Sequence, residues 1–222
     1  MIKKKKVLFF GSSGGCLDAF YLFDECFNNK MYQKFILSDS LIKNSSFLRS
    51  KVLGGFNYIF KKKFTETFFI YQCGNFENSH LRDDWFLKAK KNNLKPMTLI
   101  SPLAYVHKTA KVSEGCIIYP GVKIMRNVYV GKNCIILPNS VINHDSIIGD
   151  YTIINSSVII NGEVEIGKKN YIGSGSIIRE KINTKDFIKM GMGSLVTKNL
   201  EDIGIYYGSP ATKKHAYNWS GQ

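Results

Sequence analysis

No run of apolar residues in this 222-residue chain approaches the ~20 needed to cross a bilayer. The opening MIKKKKVLFFGSSGGC imitates a lipoprotein leader, yet only Val7 to Phe10 are continuously apolar, short of the ~7–15 residues of an export signal. Neither a membrane span nor a leader is expected. None of the five cysteines (Cys16, Cys26, Cys73, Cys116, Cys134) forms a CxxC pair, so the spacing indicates neither a zinc site nor a disulfide framework. The expectation is a reduced, cytoplasmic protein. Acid is also scarce: 17 Asp and Glu stand against 31 Lys and Arg, a formal charge of +14. The lysines come in short runs, as at 3–6 and 61–63, with no zinc finger, RNA-recognition signature or basic helix. That pattern reads as a solvated basic surface able to attract phosphate-bearing ligands, not as a nucleic-acid binder. What is plentiful is core-forming material, at 44% hydrophobic and 13% aromatic, which excludes a disordered chain.

The first half mixes strand and helix signals. Val7 to Phe10 reads as a short buried strand running into Gly11-Ser12-Ser13-Gly14-Gly15. CLDAFYLFDECF follows with Leu17, Phe20, Tyr21 and Phe27 at helical spacing. KFILSDS reads as a second strand ending at Asp39, TFFIYQCGN (67–75) as a third strand entering a Gly-containing turn, and LRDDWFLKAKKNN (81–93) as a helix with a basic end. Strand, Gly-rich turn, helix, strand, acid is the order of a βαβ nucleotide site. We therefore expect an α/β, Rossmann-like domain over 1–97. In it Gly11, Ser12, Ser13 and Gly14 would present N–H groups at a helix start to phosphates, and Asp39 would accept from a ribose hydroxyl or a base N–H.

The second half changes period. From Ile100 through Val106, Val112 and Ile118, and onward by sixes to Val196, every sixth residue is apolar except Thr184. Only a parallel β-helix, each side wall consuming one hexad, produces that period. Three hexads close an 18-residue coil, and about five coils stack at the ordinary strand spacing of ~4.8 Å. The slot four residues after each aliphatic is filled by small side chains such as Cys116, Cys134, Ser140, Ser146 and Thr152, as an inward corner position requires. Cys116 and Cys134 lie one coil apart in that slot and read as packing thiols.

His144 lies two positions after the inward Ile142, facing outward or at a corner. It is either an inert surface histidine or a base, since neutral imidazole accepts a proton near pH 7. Asp145 would orient the ring, provided that corner geometry lets adjacent side chains meet. One coil above lies Gly162, whose peptide N–H is a candidate oxyanion donor; the alternative is a glycine demanded only by corner backbone angles. Four histidines, His80, His107, His144 and His215, do not converge by coil arithmetic, so no metal is expected.

VGKNCI, IGDYTI, IGKKNY and IGSGSI resemble the hexapeptide-repeat family. The wider series VLFFGSSGG, ILSDS, INHDSIIGD, NGEVEIGKKNYIGSGS and VTKNLEDIGIYYGSPA resembles the bacterial sugar acetyltransferases of the PglD/NeuD-like group. The resemblance implies a left-handed β-helix over 98–222 and a homotrimer with active sites between subunits. It also implies acetyl-CoA as cosubstrate and N-acetylation of a nucleotide-linked, UDP-type amino sugar in glycan biosynthesis. His144 of the NHD motif would be the general base, and transfer would be direct, without an acyl-enzyme. Gly162, Gly173, Ser174, Lys198 and Pro210 would meet CoA. O-acetylation of a sialic-acid-type sugar and a non-catalytic β-helix scaffold are the alternatives. The chain departs from the group at Gly14-Gly15-Cys16, where Gly-His-Gly is common, and at Asp39, a single acid after Ser38. It departs again at Ile153, where relatives carry a second histidine.

Overall fold

The computed structural model describes residues 4–27, 29–61, 64–72 and 82–216. Cys73, His80 and the turn expected at 73–75 lie outside the described residues. The chain divides into two compact units, residues 1–99 and 100–222.

The first unit runs β1 (Lys5–Phe10), α1 (Gly14–Cys26), β2 (Tyr32–Leu37), β3 (Ser46–Phe47), β4 (Ser50–Gly54), β5 (Thr67–Tyr71), α2 (Arg82–Lys91) and β6 (Lys95–Pro96). The sheet order is β3-β4-β2-β1-β5-β6, parallel throughout except for the β3–β4 hairpin. β1 is central and covered on both faces, which is why it reads as an unbroken apolar run. Phe9 packs at 4.9 Å on Phe20 and 5.6 Å on Phe23 of α1, while Phe10 meets Phe56 and Tyr71 on the opposite side. The buried helix face is Cys16, Ala19, Phe20, Leu22 and Phe23. This corrects the face drawn through Leu17 and Tyr21: Tyr21 is 57% exposed, because the i, i+3, i+4, i+7 series starts at Cys16. β2 ends at Leu37, two residues before Asp39, and β3, β4 and β6 were not anticipated.

The second unit is a parallel β-solenoid with three walls. The first wall contains Leu99–Ile100, Ile117–Ile118, Ile135–Ile136, Ile153–Ile154, Tyr171–Ile172 and Ile188–Met190. The second contains Tyr105–Val106, Lys123–Ile124, Val141–Ile142, Ile159–Ile160, Ile177–Ile178 and Leu195–Val196, and the third Lys111–Val112, Tyr129–Val130, Ile147–Ile148 and Glu165–Ile166. Partners in register are 18 residues apart, as in Ile117 with Ile135 and Ile142 with Ile160. Every sixth residue from Gly115 to Gly193 has φ between 49° and 74°, so each corner turns on a left-handed residue. Asn or Asp fills several of these positions (Asn127, Asn133, Asn139, Asp145), as expected from their tolerance of that region.

The aliphatic slot is fully buried from Ile118 to Ile178, but Ile100 is 37% exposed and Val106 and Val112 are only half-buried, since the first coil has one neighbouring coil instead of two. Small-slot hydroxyls are buried and satisfied: Ser146 donates to Asn161 O at 2.9 Å and accepts from Val164 N at 3.1 Å. Cys116 and Cys134 are free, buried thiols that donate to Gly131 O and Gly149 O. Gly149 is needed where coils approach closest, because a Cβ there would stand 2.5 Å from the carbonyl carbon of Gly167. The two departures from the repeat find each other. Asn170, in the small slot, donates to the hydroxyl of Thr184, in the aliphatic slot, at 2.7 Å, and accepts from Ile188 N. Beyond Thr184 the coil shortens to 16 residues, pairing Thr184 with Leu200 and Lys189 with Ile205. The first wall then closes with the antiparallel hairpin Gly204–Gly208 and Ala211–His215. Among the described residues no helix is long and apolar enough to cross a membrane.

Candidate functional site

His144 sits on the turn between Val141–Ile142 of the second wall and Ile147–Ile148 of the third, so it belongs to a corner. The left-handed backbone of Asp145 (φ 59°) swings its carboxylate back beside the preceding side chain. His144 Nδ1 and Asp145 Oδ2 are 2.8 Å apart. That contact is unavailable to neighbours on a flat strand, which point to opposite faces. The carboxylate also accepts from residues one coil below: Oδ1 takes Asn127 Nδ2 at 2.9 Å and Arg126 Nη1 at 3.3 Å, and Arg126 Nη1 is ion-paired to Oδ2 at 2.9 Å. The Asn127 amide first and then the His144 N–H hold the Asp145 carboxyl below the usual carboxylate range; burial opposes them, and the nearby Arg126 charge adds a lesser lowering. An ionised Asp145 is an acceptor only, so Nδ1 carries the proton and the Nε2 lone pair is left over. Among the described residues Nε2 has no hydrogen-bond partner, and the side chain is 44% exposed.

The ring lies directly on Gly162. A Cβ at that position would stand 2.6 Å from His144 Cε1 and 2.7 Å from Nε2. Gly162 does not have positive φ, so corner backbone angles do not demand a glycine here; the imidazole does. The coils lock through Glu163 N–H to His144 O at 2.9 Å and Lys181 N–H to Gly162 O at 3.0 Å, while the Gly162 N–H itself has no acceptor among the described residues. Three residues beyond His144, a groove of about 730 Å³ runs along the third wall from Ile147 past Glu165 and Asn183 to Asn199.

Lys198 lies on the same corner as His144, three coils up by register. Gly173 and Ser174 do not: they form the turn between the first and second walls. A Cβ on Gly173 would stand 2.6 Å from the backbone of Gly191, so close coil stacking alone accounts for that glycine. Pro210 lies in the tight turn of the terminal hairpin. Ile153 is buried in the first wall between Ile135 and Tyr171. Arg126 and Asn127 escaped sequence reading, although they stand 18 residues before His144 and Asp145. The arithmetic that finds Gly162 above finds them below.

In the first unit, the Gly11 N–H donates to Leu37 O at 2.8 Å. It is therefore spent on the sheet, which corrects its place among the phosphate donors. Ser13 and Gly14 begin α1 with no side-chain cap, and space is open around Gly14. The hydroxyls of Ser12, Ser38 and Ser40 form a closed triangle with edges of 2.8, 3.0 and 3.0 Å. Asp39 Oδ1 accepts from Phe56 N at 3.1 Å, so one of its oxygens already fixes the turn after β4. A cavity of about 400 Å³ adjoins it, with Lys43, Asn57, Tyr58 and Lys61 among its lining residues. Among the described residues no three His, Cys, Asp or Glu side chains are placed to hold a metal ion.

The family model of the GMPPB C-terminal domain matches residues 100–199. No curated protein matches the chain in sequence. Among solved structures, the acetyltransferase domain of PglB from Neisseria gonorrhoeae FA1090 is similar over 95% of this chain and 100% of its own, with a TM-score of 0.85 and 18% identity; it has also been solved with acetyl coenzyme A. PerB from Caulobacter crescentus, solved with CoA and GDP-perosamine, covers 97% of this chain and 99% of its own at a TM-score of 0.80 and 20% identity. WeeI from Acinetobacter baumannii AYE covers 96% and 100% at 0.81 and 20% identity. At these identities the likeness establishes a shared fold over nearly the whole chain.

Proposed function

We propose that this protein is an acetyl-CoA-dependent N-acetyltransferase acting on a nucleotide-linked amino sugar. The observation that carries the reading is the His144 corner: an imidazole seated on a glycine, with Nδ1 held by an ionised carboxylate and Nε2 unbonded. The fold shared with PglB's acetyltransferase domain and with PerB supports the acyl donor and the class of acceptor. In the reaction, His144 Nε2 takes a proton from the acceptor amine as its nitrogen attacks the thioester carbonyl. A C–N bond forms, and the Gly162 N–H donates to the developing oxyanion. Collapse breaks the C–S bond, and the imidazolium returns its proton to the departing thiolate. No acyl-enzyme is required.

Ser13, Gly14 and Asp39 are assigned to the nucleotide, together with the Ser12 hydroxyl. Gly173, Ser174, Lys198 and Pro210 are assigned to CoA. Because Ser174 and His144 occupy different corners of one solenoid, a site using both needs two copies of the chain. Apolar side chains left exposed on the second and third walls (Tyr105, Tyr129, Ile147, Ile159 and Ile177) support such packing, and we assign a homotrimer with its sites between subunits.

The test is thiol release from acetyl-CoA with a panel of UDP- and GDP-linked amino sugars and free sialic acids, for wild type and His144→Ala. Turnover of a nucleotide amino sugar that the substitution abolishes is expected. Acceptance of free sialic acids alone would favour O-acetylation, and turnover by neither would favour a scaffold.

A further inference from the structure

His144 has a support that none of the assigned roles uses. Arg126 occupies the same outward position one coil below, and its guanidinium lies 2.9 Å from the Asp145 oxygen that also meets Nδ1 at 2.8 Å. The other oxygen accepts from Asn127 at 2.9 Å and from the same guanidinium nitrogen at 3.3 Å. Asn127 is itself fixed from the coil beneath, where Thr109 Oγ1 accepts its backbone N–H at 2.9 Å. The carboxylate is therefore shared among three donors, two of them from the coil below, whose Arg126 carbonyl also accepts the Asp145 N–H at 3.0 Å.

We propose that Arg126 is a positioning residue that works through Asp145: it divides the carboxylate's charge with the imidazole and thereby limits how strongly the protonated ring is stabilised. This rests on the reading of His144 as the base. A carboxylate beside an imidazole favours the charged ring, and a cation on the same carboxylate opposes that. From the two distances, the guanidinium nitrogen lies no more than the sum of two hydrogen bonds from Nδ1. At roughly that separation in water-like dielectric, a unit charge shifts a titration by about half a pH unit. Of the other charged groups around the ring, Glu163 lies one coil above Asp145 and the rest are two coils away or on the flanking walls. Lys108, Glu163, Glu180 and Lys181 share the corner, and Lys123 and Glu165 stand on the flanking walls. Beyond the backbone bond from Glu163 N–H to His144 O, no side chain among them is hydrogen-bonded or ion-paired to the His144 ring or the Asp145 carboxylate.

The sign follows directly. Removing Arg126 takes away a cation and frees a carboxylate, both of which favour the charged ring. The acid limb of the pH–rate profile must then move to higher pH. The experiment is kcat/KM against pH for wild type, Arg126→Met, Arg126→Gln and Arg126→Lys, with His144→Ala alongside. In Arg126→Met the limb should rise by about half a unit or more. For a half-unit shift turnover should fall by up to about three-fold on the acid side of the limb and recover at alkaline pH, with KM for acetyl-CoA unchanged. Arg126→Gln, which keeps a donor but not the charge, should behave like the Met variant, and Arg126→Lys should restore the wild-type limb. A limb that stays in place, or a loss equal at every pH, overturns the proposal. Because Arg126 is exposed, its variants should fold, and Arg126→Lys against Arg126→Gln decides the matter if the Met variant does not. Full activity in His144→Ala instead defeats the base reading itself, whatever Arg126 does.

Discussion

Along the corner between the second and third walls, the outward residues run Arg126, His144, Gly162, Glu180 and Lys198. Along the corner between the first and second walls they run Pro138, Ser156, Ser174 and Met192. Both corners turn on left-handed residues 18 apart: Asn127, Asp145, Glu163 and Lys181 on one, Asn139, Ser157, Gly175 and Gly193 on the other. The backbone does the same thing twice. One corner then uses its left-handed slot to carry an amide, Asn127, that holds a carboxylate, Asp145, against a ring. The other empties the slot in its last two coils, with nothing near a Cβ at Gly175 or Gly193. A solenoid thus supplies repeated positions, and chemistry arises where successive coils place complementary side chains in one column.

The comparison can be broken at its strongest point first. His144→Ala should lower kcat by roughly 10²–10⁴-fold with the circular dichroism spectrum unchanged, the range typical of a lost general base. Gly162→Ala should follow at roughly 10²-fold, because its methyl must push the imidazole off Asp145; a crystal structure should show the ring displaced. A bulky Ser174→Trp should block acetyl-CoA by isothermal titration while leaving His144 intact. Mixed with His144→Ala and re-assembled, the two inactive proteins should regain roughly a quarter of the wild-type sites if the corners meet across a subunit boundary; no recovery would place both in one subunit. Asp145→Asn is a smaller change. The Asp145 carboxyl is held below its ordinary range, so its contribution to stability is present above the unfolded-state value and is lost as pH falls through the folded one. Urea midpoints of wild type and Asp145→Asn should therefore differ at pH 7 and converge toward pH 3. The least effect should come from Gly193→Ala, about 1 kcal/mol from its left-handed backbone, with turnover untouched.

The same contrast marks what sequence made legible. The solenoid declares itself because its core is one-dimensional: Ile142, Ile148 and Ile154 are inward by counting alone, and Gly162 over His144 follows by adding 18. The first unit has no such ruler. There Tyr21 could be mistaken for a core residue, the β3–β4 hairpin passed unseen, and Gly11 N–H was credited to a ligand although the sheet had already taken it. Sequence spacing says which backbone groups are near a turn but not which of them are already bonded. Thr184 stood out as a break in the count, yet its partner Asn170 lies in another slot of another hexad, and only the folded coil joins them.

The terminal hairpin bears on solubility. A stack of parallel strands has no intrinsic end, since each finished coil offers the same row of unpaired peptide groups to whatever strand arrives next. After the 16-residue coil, Ala211–His215 turns back antiparallel on Gly204–Gly208 and occupies the edge of the first wall. Its outer strand is exposed and carries Lys213 and Lys214, so a further strand would have to desolvate two ammonium groups to add. The first wall, which by its repeat could go on extending, ends in a strand whose two lysines oppose the addition of another.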